Sequence, residues 1–189
     1  MLDRYESHVK EFFASAYELD LRKIREDELP RPDFEVFHRE QQIAFLEVKA
    51  IESTAMEVTA DSFTEEGIVP GSLRIDNAAA RVAKKVHEAV RQLKSVSLPK
   101  ILVLLNVRSE ADDFDLVEFL QGYLVFADGT KLTSLPPSVT RRSATDKTKI
   151  DLYLWVDIEG GEPLVIPGTL VGKELKSAYF VGSDEGNAG

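Results

Sequence analysis

The stretch Pro32-Asp33-Phe34-Glu35-Val36-Phe37-His38-Arg39-Glu40-Gln41-Gln42-Ile43-Ala44-Phe45-Leu46-Glu47-Val48-Lys49-Ala50-Ile51 sets two runs of aromatic and aliphatic residues on either side of a polar tetrapeptide. Such residues favour extended backbone. Phe34–Phe37 and Ile43–Ile51 therefore predict the arms of an antiparallel hairpin, with His38-Arg39-Glu40-Gln41 as its loop. The second arm is apolar on both faces, which suits a strand inside a sheet rather than at its edge. Alternation sends Ala44, Leu46, Val48 and Ala50 to one face and Phe45, Glu47, Lys49 and Ile51 to the other. Glu47 and Lys49 thus stand side by side, roughly 7 Å apart along the strand. Burying a carboxylate and an ammonium there costs several kcal/mol per ion unless each finds a partner.

The same hairpin carries Asp33 towards the Lys49 end of the second arm, within a residue or two of register. Glu35 alternates onto the face of Asp33, as a further ligand or towards water. Two carboxylates a few ångströms apart raise one another's pKa unless a cation sits between them. Oxygen-only ligation by Asp and Glu, completed by water and phosphate, is the preference of Mg²⁺, at about 2.1 Å.

Upstream, Leu2, Tyr5, Val9, Phe12, Phe13 and Ala16 recur at helical spacing and predict an amphipathic helix from about Asp3 to Tyr17, opened by an Asp3–Glu6 capping box. A short polar strand is expected around Leu19–Ile24. Downstream, Glu52–Leu73 has no clear period and reads as a loop or insertion. A helix follows from about Asp76 to Val96, with Ala79, Val82, Val86, Ala89, Val90 and Leu93 inward, and then a buried strand Ile101–Leu105. Ser109 and Asp112 cap a third helix ending at Gly122. The remainder reads as a β extension over about 123–167, with turns at Asp128-Gly129 and Gly160-Gly161, and residues 182–189 read as a disordered tail. Neither an internal repeat nor a low-complexity linker divides residues 1–181, so one domain is expected. Its element order suits a three-layer α/β/α fold, a mixed central sheet with helices on both faces.

The chain has no cysteine, which excludes disulfides, thiolate metal sites and cysteine nucleophiles. His8, His38 and His87 have no partner at metal-ligand spacing. No apolar run approaches the ~20 residues of a membrane span, and the N-terminus lacks the layout of a secretory signal, so the cytoplasm is the expected location. Loops of the Gly-x-Gly-x-x-Gly or Gly-x-x-x-x-Gly-Lys type, a Gly-x-Ser-x-Gly elbow and a His-Glu-x-x-His motif are all absent. Net charge is −10, which by itself disfavours a phosphate-gripping surface. Its distribution is uneven, with seven basic residues against two acidic from Arg74 to Lys100, and four against one in the loop-like stretch Thr140–Lys149. Trp155 reads as packing rather than a base-stacking platform.

Pro32-Asp33, followed fourteen residues on by Glu47-Val48-Lys49, resembles the PD-(D/E)xK nuclease motif. The helix, strand, hairpin, helix, strand order of residues 1–107 resembles that superfamily's core, which implies a restriction-endonuclease-like fold. The resemblance implies a metal-dependent nuclease hydrolysing phosphodiester bonds in DNA, with Mg²⁺ or Mn²⁺ as cofactor. By the same resemblance Asp33 and Glu47 are metal ligands and catalytic, Lys49 is catalytic at the phosphate, and Glu6 is the additional acidic residue of the first helix. Lys85 and Gln92, with neighbouring Lys84, are the substrate-binding candidates on the helix after the motif. DNA is the expected partner, no membrane is involved, and a homodimer or larger assembly stays open. The alternative is a non-catalytic module of the same fold that binds nucleic acid or a protein, its trio reduced to a Glu47–Lys49 ion pair and an Asp33 that caps a turn.

Overall fold

The computed structural model of the chain describes residues 3–25, 30–52, 78–107, 109, 111–126, 128–132, 135 and 137–180. In chain order the elements are α1 (Arg4–Tyr17), β1 (Asp20–Lys23), β2 (Phe34–His38), β3 (Gln41–Glu52), α2 (Ala78–Gln92), β4 (Lys100–Val107), α3 (Asp113–Gln121), β5 (Leu124–Val125), β6 (Lys131–Leu132), α4 (Pro137–Asp146), β7 (Leu152–Asp157), β8 (Leu164–Pro167) and α5 (Leu170–Tyr179). The expected loop from 53 to 73, Arg74, Asp76 and the expected tail 182–189 lie outside the described residues.

Six strands form a mixed sheet in the order β1-β2-β3-β4-β7-β8. The β3–β4 and β4–β7 pairs are parallel and the others antiparallel. Helices cover both faces. On one, Val9 and Phe13 of α1 and Leu175 of α5 pack on Leu46, Val103 and Leu154. On the other, Val82 and Val86 of α2 and Leu116 and Phe119 of α3 pack on Leu102, Leu104 and Trp155. The central strands β4 and β7 are buried on both faces, which is why their sequences are apolar without alternation.

Local chemistry sets the boundaries. Asp3 caps α1 by accepting from the N–H groups of Tyr5 and Glu6, and Glu6 returns a bond to the Asp3 N–H, the capping box read in the sequence. Glu18 ends the helix in the left-handed region just after Tyr17, and Ala16, expected inward, is exposed. Asp112 and Gly122 cap α3 as expected, while Ser109 instead bonds Asn106. The second helix ends at Gln92 rather than near Val96, because the Ser- and Pro-containing segment after Leu93 must turn into β4.

The expected β extension has strands where they were read, β5, β7 and β8, but also contains a helix, α4. Only β5 and β6 form a separate two-stranded sheet, whereas β7 and β8 extend the main sheet. The loop-like basic stretch Thr140–Lys149 lies largely in α4, a helix whose first residue is Pro137, a position that needs no N–H. The Lys147 ammonium donates to the carbonyl of Leu120, and His87 Nδ1 lies 2.9 Å from Asp146, so α4 is tied to α3 and α2. Helix α5 was not foreseen; Thr169 caps it and its Leu175 closes the α1 face.

The hairpin loop is shorter than the four residues expected. Strands run to His38 and Gln41, leaving Arg39 and Glu40 as a two-residue turn, both with positive φ (47° and 68°). That is the primed turn class, in which Asn-Gly fits without the left-handed penalty. The replaced Arg22–Glu40 contact is solvent-exposed and of small value. The double variant Arg39→Asn, Glu40→Gly is expected to gain about 1 kcal/mol and raise Tm by roughly 2–4 °C. Calorimetry showing a lower Tm would count against this turn geometry.

Candidate active site

Strand β3 outruns its hairpin partner. Pairing with β2 ends at Phe34–Leu46, while pairing with β4 continues to Glu52–Val107. From Glu47 onward one flank of β3 therefore has no strand beside it among the described residues. The Asp33 carboxylate fills the first gap, Oδ2 accepting from the Val48 N–H at 2.8 Å. This fixes Asp33 opposite the Glu47–Lys49 segment, the convergence that the hairpin register implied.

A pocket of about 250 Å³ opens here, bordered by Asp3, Tyr5 and Glu6 of the α1 end, Asp33, Glu47 to Ala50 of β3, and Lys85 and Gln92 of α2. Among the described candidates, Asp33, Glu47, Lys49, Glu6, Lys85 and Gln92 meet in it; Lys84 does not, because one residue along α2 turns it to solvent, where it is exposed. Of the two alternatives for Glu35, a ligand or a group facing water, its position fits the second: it borders a separate pocket of about 360 Å³ with Ile24, Pro32, Phe45 and Val96, and not this one. The sequence reading missed Lys23, whose ammonium bridges Glu6 and lies 3.5 Å from Asp33. The signal was available in the strand at 19–24, which sets Lys23 against Phe34, next to Asp33.

Lys49 Nζ donates to Glu47 Oε1 at 2.6 Å and to Gln92 Oε1 at 2.5 Å. Glu47 has 0% exposure, and its other oxygen, Oε2, has no hydrogen-bond partner among the described residues. Burial, reinforced by the nearby Asp33 charge and only partly offset by Lys49, pushes the Glu47 carboxyl up to about 8. An orphaned, buried carboxylate oxygen facing a polar pocket costs free energy that an added cation would offset.

That orphaned oxygen is the observation by which the residues fit a divalent ion. No group of three or more His, Asp or Glu side chains among the described residues forms a ready ligand set. The protein's share would be the Asp33–Glu47 pair, with water and substrate oxygens supplying the rest, the mode in which Mg²⁺ is usually held. Comparison of the chain with family models, with curated proteins and with solved structures gives no match.

Glu47 makes stability depend on pH in a definite direction. Its pKa rises from an ordinary 4.5 to about 8, so between those values the folded chain holds a proton that the unfolded chain has released. This contribution is complete below about 4.5, declines as pH rises, and is lost above about 8. In metal-free buffer, the Tm of the native chain relative to Glu47→Gln is expected to fall by several degrees between pH 5 and pH 8 and then level off, at about 2–4 °C per kcal/mol. Parallel melting curves across that range would rule the shift out.

Proposed function

We propose that this chain is a Mg²⁺-dependent nuclease that hydrolyses phosphodiester bonds in DNA, built on a restriction-endonuclease-like core. One observation carries the reading: the Asp33, Glu47 and Lys49 side chains border one pocket together with Glu6, Lys85 and Gln92. The order α1, β1, β2–β3, α2, β4 supports it, being the helix, strand, hairpin, helix, strand sequence of the PD-(D/E)xK core.

In this reading Asp33 and Glu47 hold the metal, which when bound supplies an activated water and a Lewis acid at the scissile phosphate. Every other contribution comes from the chain. Gln92 and Glu47 hold the Lys49 ammonium in place, so that its charge meets the phosphate oxygens as negative charge develops. Glu6 adds a carboxylate from α1, and Lys85 meets a phosphate at the pocket rim. The exposed Lys84, Arg91 and Lys94 on and just beyond α2 offer a backbone-facing surface on an otherwise acidic protein. Cation and proton compete for Glu47, so metal affinity is expected to rise with pH up to about 8.

The direct Glu47–Lys49 contact and the net charge of −10 favour a second reading, a non-catalytic module of the same fold that binds nucleic acid or a protein. Cleavage of plasmid and oligonucleotide DNA with Mg²⁺ and with chelator separates the two. Asp33→Asn, which keeps an acceptor for the Val48 N–H, and Lys49→Ala are each expected to reduce cleavage at least about a hundredfold with unchanged circular dichroism. Full activity in a purified Glu47→Ala protein would remove the metal-site assignment. Absence of both cleavage and calorimetric Mn²⁺ binding at millimolar metal would leave the binding module.

A further inference from the structure

Two of the carboxylates that border the pocket, Glu6 and Asp33, are paired with a cation from outside its lining, Lys23. Lys23 is the last residue of β1; its pairing with Phe34 and the bond from the Ile24 N–H to the Asp33 carbonyl (2.9 Å) fix it beside Asp33. The stem passes near the Phe34 ring, with Nζ 5.4 Å from the ring centroid, and only 21% of the side chain is exposed. The ammonium lands between Glu6 Oε1 and Asp33 Oδ1.

The division of oxygens is the telling feature. Glu6 Oε2 is committed to the Asp3 N–H and Asp33 Oδ2 to the Val48 N–H. The remaining oxygen of each carboxylate is the one that Lys23 neutralises. Main-chain donors thus orient both groups through one oxygen each, and the other oxygen of each is held by one ammonium on a flexible stem. An ammonium is a compact point charge with rotatable donors on a flexible stem, unlike the rigid fork of a guanidinium.

We propose that Lys23 is a displaceable internal counter-ion of this site. Without metal its ammonium neutralises Glu6 and Asp33; a divalent cation reaching those oxygens expels it towards the pocket mouth, where it meets the phosphate of a nucleic-acid substrate. The inference rests on the metal-dependent reading and adds that metal entry is a competition, which sets a threshold cation concentration for the site to load.

Two measurements on the whole chain test it. Amine acetylation with a water-soluble active ester, read by mass spectrometry, is expected to modify Lys23 several-fold faster in Mg²⁺ or Mn²⁺ than in NaCl of equal ionic strength, with exposed Lys84 as reference. Calorimetry with Mn²⁺ alone is expected to give about tenfold tighter binding for Lys23→Met than for the native chain. The labelling uses the native protein, so a poorly folded variant leaves the test intact. Metal that binds while Lys23 labelling stays level or falls overturns the counter-ion role and leaves the metal site standing. Binding to Lys23→Met but not to the native chain supports the role. Binding to neither overturns the role and the metal-dependent reading together.

Discussion

The hydrogen bond from the Val48 N–H to the Asp33 carboxylate holds the rest of the site in place. At the point where β2 stops pairing, a main-chain donor of β3 loses its strand partner, and a buried donor left unpaired costs about 1–3 kcal/mol. A side chain from the residue just before the strand takes over the role of backbone. One interaction therefore completes the ladder and also aims a carboxylate at the segment that carries Glu47 and Lys49. Fold stability and site geometry are the same constraint here, so Asp33 cannot be judged by chemistry alone.

Charge burial sets the second condition. A fully buried carboxylate beside an ammonium in a central strand is a poor way to stabilise a sheet, since well-packed apolar residues usually do as well or better. The chain meets part of the cost with the Lys49 contacts to Glu47 and Gln92 and leaves Glu47 Oε2 unmet. Around it stand Asp3, Glu6 and Asp33, and the compensating cations Lys23, Lys49 and Lys85 come from three different elements. An arrangement of that kind loses stability locally, as sequences often do where function rather than folding selects the residues.

Much of this was legible before any coordinates. The hairpin, the α1 capping box, the inward face of α2 and the buried strand β4 follow from periodicity and turn chemistry, which act over a few residues. The meeting of Asp33 with the Glu47–Lys49 segment followed from hairpin register, because antiparallel pairing converts sequence spacing into position. What escaped notice depended on distant packing. Helix α4 has a polar sequence whose helical form relies on Pro137 at its start and on ties from Asp146 and Lys147 to other helices. The place of β7 between β4 and β8 is a choice of sheet order that no local pattern encodes. Lys23 was half legible: strand pairing sets it beside Asp33, but its contact with Glu6, seventeen residues away on a helix, depends on tertiary packing.

One irregularity in the hairpin reaches further than its size suggests. The pairing shifts between Val36–Ala44 and Phe37–Gln42, leaving Ile43 as an extra residue, so that Ile43 and Ala44 both join the same core. Parity is thus reset inside the strand, like a frame marker placed between the loop and the message. Changes of length on the loop side of Ile43 can be absorbed there. A single residue gained or lost between Ala44 and Glu47 would turn both charged groups into the aliphatic layer under α1 and present Leu46 and Val48 to the pocket in their stead.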